Sequence, residues 1–375
     1  MVLNVYLISA LVLLVLLAIL VYSRKDISSA SKGRIYITRA FLILAVIHIF
    51  KDPDTLNDLQ GGYLLVFKET WNHDVVYWAT HSSDIGKMEN GYLILNHLLS
   101  LISHSPFILL FTTSIVILSG HYYVIKKYSP IVWLSVLLYY MVAFNQSLFV
   151  LRQQMAMSMV LFTFPFIIEQ KLKPFIIIIA LTFTIHMTAL FFVPLYFIYP
   201  LKSKKVILLS LLTIILFTYV MDALMTYLMG AGGLANWYLS GLGTRDLEEG
   251  QNANAFVYWL FIFLLRCIIL KNHLFDDGIA KILTCITIFS VVISVIGIGF
   301  VPFARLAEYF TDLVFLIIPD TLAYVKFPKL KLAILSSFLL LNTYFYFTSW
   351  SEYVEDYDFI WNNPKGYYIS STRHG

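Results

Sequence analysis

Long apolar runs separated by short charged gaps constrain this chain more than any other feature. The first, "VLNVYLISALVLLVLLAILVY" at 2–22, holds no charged residue. Similar runs recur near 35–50, 106–125, 131–149, 152–168, 175–187, 188–200, 206–225, 255–270, 279–300, 303–325 and 332–350. About 20 apolar residues in a helix cross a hydrocarbon core ~30 Å thick, and within that core the backbone must satisfy its own hydrogen bonds. The sequence therefore predicts an all-α polytopic integral membrane protein with about 12 transmembrane helices. Composition agrees, with 59% apolar and 13% charged residues against about 45–50% and 25% in soluble domains. No cationic lead-in precedes residues 2–22 and the run is too long for a signal-peptide core, so they read as a retained first helix.

Lys and Arg fall in alternate gaps: Arg24, Lys25, Lys32 and Arg34; Lys126 and Lys127; Lys171 and Lys173; Lys202, Lys204 and Lys205; Lys271 and Lys281; Lys326, Lys329 and Lys331. The positive-inside rule makes these gaps cytoplasmic. The opposite gaps are longer and acidic, which puts both termini and the tail 351–375 outside. This orientation needs 175–200 to be a broken hairpin of two short arms, each spanning about 20 Å. A single long helix there would put Lys202, Lys204 and Lys205 outside. In the hairpin, His186 sits at a tip below the outer surface, where irregular backbone must be buried in protein or reached by water.

The outer loop 51–105 alternates Tyr63, Leu64, Leu65, Val66, Phe67, Trp71, Tyr77 and Trp78 with charges, the pattern of amphipathic helices on the membrane face. A second outer loop, 226–254, is glycine-rich and aromatic and suits a mobile cover. The whole chain reads as one membrane domain. Cys267 and Cys285 lie in apolar segments and give neither a disulfide framework nor a metal-ligand spacing. No basic run interleaved with aromatics points to nucleic acid. No phosphate-cradling glycine loop, serine elbow or metal motif is present either.

Charges inside apolar runs need a reason, because each costs ~2.5–3.5 kcal/mol on insertion scales unless it is paired or hydrated. "VPFARLAEYFTDLVFLIIP" places Arg305, Glu308 and Asp312 at i, i+3 and i+7 of one helix face, either a structural ion pair or part of a site. Arg152 opens another run, as a site residue or an interfacial anchor. His186 is a site residue or a core histidine bonded to a carbonyl. Arg266 reads as an anchor snorkelling from the inner end of its helix. His48, His97, His104 and His121 read as packing or interfacial groups. Arginine forks suit phosphate oxygens and aromatic faces suit sugar rings and lipid chains, so the outer side fits a lipid-diphosphate sugar.

The stretches "PDTLNDLQGGYLLVF", "MENGYLILNHLLSLI", "LRQQMAMSMVLF", "TIHMTALFFVPL" and "FARLAEYF", in that order, make the chain resemble EpsG-type, Wzy-like polysaccharide polymerases over most of its length. The resemblance implies a multi-pass glycosyltransferase of the bacterial inner membrane. Such an enzyme joins oligosaccharide repeat units carried on undecaprenyl diphosphate, at the outer face, for O-antigen, capsule or exopolysaccharide. Its matching positions here are Asp54, Tyr63, Glu89, Tyr92, Arg152, Gln153, His186, Arg305 and Tyr309. The spacing from Asp54 to Tyr63 departs from the family pattern, which leaves Asp54 and Asp58 as alternatives for one acid.

On this reading Arg152 and Arg305 hold the diphosphate. Glu308 and His186 are the candidate bases, with Asp54 and Glu89 approaching from the loop as further catalytic candidates. Gln153, Tyr63, Tyr92 and Tyr309 contact substrate, and neither a metal nor another cofactor is required. The partners are the lipid-linked glycan and membrane lipid, with flippase and chain-length regulator proteins beside them. A flippase of lipid-linked glycans and a membrane O-acetyltransferase are the competing readings. The first expects pseudo-symmetric halves, and the second a cytoplasmic acyl-donor site with arginine and histidine.

Overall fold

The computed structural model describes residues 4–56, 58–81, 83, 88–201, 205, 212, 249–297, 307–350 and 354–362. Among the described residues there are helices and no strand, with one isolated antiparallel bridge between Lys51 and Phe359. They belong to two compact units: Met1–Thr163 with Lys173–Leu190 and Lys326–Gly375, and Phe164–Leu172 with Phe191–Val325.

In the first unit α1 (Val5–Tyr22) begins where Asn4 Oδ1 accepts the N–H groups of Tyr6 and Leu7, satisfying two of the helix's orphan donors. It buries one stripe, Leu7, Ala10, Leu14, Ala18 and Val21, and leaves Val12, Leu13, Leu16, Ile19 and Leu20 bare. A continuous bare apolar face of this kind suits hydrocarbon rather than water. The buried stripe meets α2 (Ser29–Ile49), where the Tyr36 hydroxyl donates to the Leu14 carbonyl at 3.3 Å.

The loop expected to be amphipathic is helical: α3 (Leu64–Glu69), α4 (Val75–Thr80) and α5 (Asn90–Ser100). These short helices pack on each other rather than lying separately. Val66, Trp78 and Leu93 form one small core, and Leu64, Phe67, Leu99 and Leu109 another. His97 Nδ1 bonds the Thr70 carbonyl at 2.9 Å and His104 stacks on Trp71 at 4.3 Å, so both histidines are packing groups.

Next come α6 (Pro106–Tyr128), α7 (Val132–Tyr139), a π turn at Tyr140–Phe144, α8 (Asn145–Ser147) and α9 (Leu151–Leu161). The run at 131–149 is thus a bent helix that ends before Arg152. A helix end at this depth leaves carbonyls that water does not satisfy. Here His48, fully buried near the end of α2, donates from Nε2 to the Ser147 carbonyl at 2.9 Å. Its Nδ1 lies 2.7 Å from Ser114 Oγ and 3.3 Å from the buried Lys51 Nζ. The tail at 354–362 closes over this end of the unit: Tyr357 donates its hydroxyl to Ile47 O at 2.7 Å, and Ile360 its N–H to Phe50 O at 3.0 Å.

Helices α6 and α9 approach at small residues. A Cβ on Gly120 would fall inside contact distance of the Ser158 carbonyl, and the Gly120 N–H lies 3.0 Å from Ser158 Oγ. Small residues let membrane helices come this close. The contact fixes the helix whose first turn carries Arg152.

After α10 (Phe164–Ile168) come α11 (Leu172–Ile185), a 3-10 turn at Met187–Phe192 and α12 (Val193–Ile198). The chain leaves helical geometry at His186, where the hairpin tip was expected. In the second unit α13 (Glu249–Leu270), α14 (Ile279–Gly297) and α15 (Val314–Ala323) pack together. Arg266 corrects the sequence reading here. It is fully buried rather than snorkelling, paired with Asp320 Oδ2 at 2.7 Å, and it donates to Thr284 Oγ1, Thr321 Oγ1 and Ala280 O at 3.1, 2.8 and 2.9 Å. Acceptors from α14 and α15 replace the water that an anchor would have sought. The last helix, α16 (Pro328–Phe345), returns to the first unit.

Among the described residues four helices are long and apolar enough to cross a membrane by length and composition: Val5–Tyr22, Pro106–Tyr128, Asn254–Phe275 and Pro328–Thr348. The all-α membrane class is as expected. The described residues do not establish the expected count of about twelve transmembrane helices, a broken hairpin included, because several runs are interrupted. The 152–168 run turns at Phe162 and Thr163, while 175–200 divides at His186. Helix α2 reaches 21 residues but carries Lys32, Arg34 and Arg39. The run at 206–225, but for Leu212, lies outside the described residues.

Candidate functional site

Glycine 91 explains how the site assembles. Helix α5 starts against the end of α11, so closely that a methyl group on Gly91 would sit 2.6 Å from the Thr184 carbonyl oxygen and closer still to the Thr184 side chain. Two turns thereby meet. Glu89, the residue before α5, faces His186, the residue after α11. Gly91→Ala should push these helix ends apart. The expected result is a lower melting temperature, through about 1–3 kcal/mol of overpacking, which melting of the purified variant checks.

Glu89 sits between two cationic-capable side chains. Its Oε1 accepts from His186 Nδ1 at 2.8 Å and from the Met187 N–H at 3.0 Å. Its Oε2 accepts from Arg152 Nη1 in a short ion pair. Burial alone would push the Glu89 carboxyl up, but the His186 hydrogen bond, the Arg152 charge and the Met187 N–H outweigh it and bring it down to about 2. Glu89 is therefore an anion at neutral pH and accepts only. His186 Nδ1 is the donor to Glu89, and in the neutral imidazole the lone pair then lies on Nε2. Among the described residues that nitrogen has no hydrogen-bond partner.

Two tyrosines complete the cluster. The Arg152 guanidinium lies over the Tyr92 ring, 5.9 Å from its centroid, and beside the Tyr63 hydroxyl. The two rings meet edge to face at 6.0 Å. Arg152 Nε is buried without a hydrogen-bond partner, so the fork has donors that Glu89 does not use. About a fifth of each side chain remains exposed, at 19% for Arg152 and 18% for Glu89 and His186, so a ligand can reach the group.

The structure thus brings together Tyr63, Glu89, Tyr92, Arg152 and His186, all within the first unit. Gln153 is buried in the same first turn of α9. Asp54 is exposed on a 3-10 turn, its N–H held by Asp52 Oδ1 at 3.0 Å, and Asp58 is also exposed. Glu308 is half-buried and Tyr309 buried, both in the second unit. Arg305 and most of the glycine-rich loop lie outside the described residues. Of the three charges read on one helix face, Glu308 and Asp312 are joined by one helical turn, the Asp312 N–H donating to the Glu308 carbonyl at 3.1 Å. Leu313 then bonds the Phe310 carbonyl as the stretch ends. Among the described residues no cluster of three or more His, Cys, Asp or Glu side chains could hold a metal ion.

Sequence reasoning missed the network behind the site. Lys51, fully buried just after α2, drew no reading, and His48, which holds the break before Arg152, showed only as a packing histidine. Glu89, named as a catalytic candidate, is placed as the acceptor of hydrogen bonds from His186, the Met187 N–H and Arg152. The role of Gly91 had a visible cue, the glycine two residues after an acid at the start of an apolar stretch.

No curated protein and no solved structure matches this chain. The EpsG family model matches residues 34–362, a span that runs from α2 to the closing tail and contains every member of the Arg152 cluster. The chain belongs to the EpsG family, membrane proteins of the Wzy-like polysaccharide polymerase type.

Proposed function

We propose that the protein is a Wzy-type glycosyltransferase that joins oligosaccharide repeat units carried on undecaprenyl diphosphate, at the outer face of the bacterial inner membrane. One observation carries this reading: Arg152, with donors to spare, lies over the Tyr92 ring and beside the Tyr63 hydroxyl, and shares Glu89 with a histidine in a partly open cluster. In the reaction an acceptor hydroxyl attacks the anomeric carbon of the donor unit. The new C–O bond forms as the bond from that carbon to the diphosphate breaks, and the electron pair leaves with the diphosphate. Fixed cations aimed at the developing charge lower the barrier. Arg152 supplies that charge, with Arg305 proposed as a second cation. Tyr63, Tyr92 and Tyr309 offer faces for sugar rings, Gln153 offers an amide, and Asp54 and Glu308 remain acidic groups for the acceptor side. The hydroxyl proton must reach a base within hydrogen-bond range.

The test is direct. Purified protein in detergent is incubated with lipid-diphosphate repeat units, and the products are resolved on a gel. A ladder of lengthened glycans is the expected result. Unchanged units would point instead to a flippase, and acetylated units with an acetyl donor to an acyltransferase.

A further inference from the structure

We infer that His186 is the base that takes the acceptor proton, and that Glu89 is its positioning residue rather than a base in its own right. The inference rests on the polymerase reading and deepens it by dividing the roles within the cluster. Glu89 Oε1 receives His186 Nδ1–H at 2.8 Å, and the Met187 N–H at 3.0 Å pins the same oxygen. A carboxylate held from two sides fixes the imidazole plane and the tautomer together. The proton stays on Nδ1 and the lone pair stays on Nε2. That is the relation of orienting acid to base in a Ser-His-Asp triad, where histidine activates an oxygen nucleophile.

The backbone adds a second constraint. His186 lies between the last turn of α11 and the following 3-10 turn, with its own N–H bonded to Thr182 O at 2.9 Å and its carbonyl accepting the Ala189 N–H at 3.1 Å. The ring is therefore carried by a fixed junction and not by a free loop. Gly91 provides the close approach that lets Glu89 reach it.

Glu89 is unsuited to take the proton itself. Both its oxygens are engaged, Oε2 by Arg152, and its carboxyl is held at about 2. His186 Nε2 is the basic lone pair of the cluster left without a hydrogen-bond partner among the described residues. In the proposed step the acceptor O–H gives its proton to Nε2 as its oxygen bonds the anomeric carbon. The diphosphate departs with the electrons of the broken bond beside Arg152. The imidazolium so formed is stabilised by the anionic Glu89 and later returns its proton to water or to the leaving diphosphate.

The test uses the full-length protein in the polymerisation assay. In His186→Asn the amide nitrogen takes the place of Nδ1 and keeps the bond to Glu89, while the basic nitrogen is lost. This variant should keep its abundance and melting temperature and lose about 100-fold in kcat, with KM for the lipid-linked donor changed little. Glu89→Gln should lose about 10-fold or more in kcat. Adding it to His186→Asn should lower kcat by far less than it does alone, because Glu89 acts on the proton transfer through the histidine and only its ion pair with Arg152 is left to lose.

Full turnover in His186→Asn would overturn the assignment, as would a kcat for the double variant equal to the product of the two losses. If the wild-type protein makes polymer in those cases, the polymerase reading stands without this inference. If the wild type makes none, the reading itself falls and takes the inference with it.

Discussion

Replacing Arg152 with lysine should lower turnover about 100-fold, or about 2.7 kcal/mol in the barrier, while leaving insertion and abundance unchanged. Lysine keeps the positive charge and can still pair with Glu89. It loses the planar fork whose Nε is unpartnered and whose face covers the Tyr92 ring. If the arginine only anchored a helix end, the exchange would be tolerated. An interaction made with the departing diphosphate is strongest in the transition state, so the loss should appear in kcat as well as in kcat/KM. The rate of ladder formation by equal amounts of purified protein measures it.

The second large effect is expected away from the site. Arg266→Met leaves Asp320 buried as an unpaired anion, 6% exposed, and strips partners from Thr284 and Thr321. Breaking a buried pair from one side costs about 3–5 kcal/mol, which should lower the melting temperature by roughly 10 °C or prevent accumulation. Arg266→Met with Asp320→Leu should recover much of that loss, since an apolar pair of similar volume can replace buried ions. Melting of the two variants in detergent decides it. If the single variant is as stable as wild type, the network is not what holds α13, α14 and α15 together.

These two arginines also show how far the sequence could be read. Both stood out as charges in apolar runs, and their partners did not. Arg152 meets a carboxylate 63 residues before it, and that carboxylate meets a histidine 97 residues further on. Arg266 meets a threonine 55 residues on, and so was read as an exposed anchor. Hydropathy reveals that a segment is a helix in a membrane, because burying apolar surface is a local property of composition. Which polar groups face each other depends on packing between helices, which a single sequence does not encode in any short window.

The helix breaks were illegible for the same reason. Between Tyr139 and Leu151 the sequence carries no charge, Pro or Gly and only Asn145, Gln146 and Ser147 as polar residues, so the apolar run reads straight through. What permits the break is His48, 99 residues away from the carbonyl it satisfies. The break in 175–200 was legible because the alternation of basic gaps requires the chain to turn back there. The site list gained from the resemblance in the same way. It named Tyr63, Glu89, Tyr92, Arg152 and His186 by order along the chain, and the fold gathers all five. It could not divide their roles, which follow from who donates to whom.

The central claim is that the Arg152 cluster grips a diphosphate. Its most direct test is equilibrium binding of undecaprenyl diphosphate to the purified full-length protein in detergent, compared between wild type and Arg152→Lys. The account predicts saturable binding to the wild type and affinity at least about 10-fold weaker in the variant, because the fork contributes more than its charge. Equal affinity in the two proteins would contradict it and move the diphosphate away from Arg152.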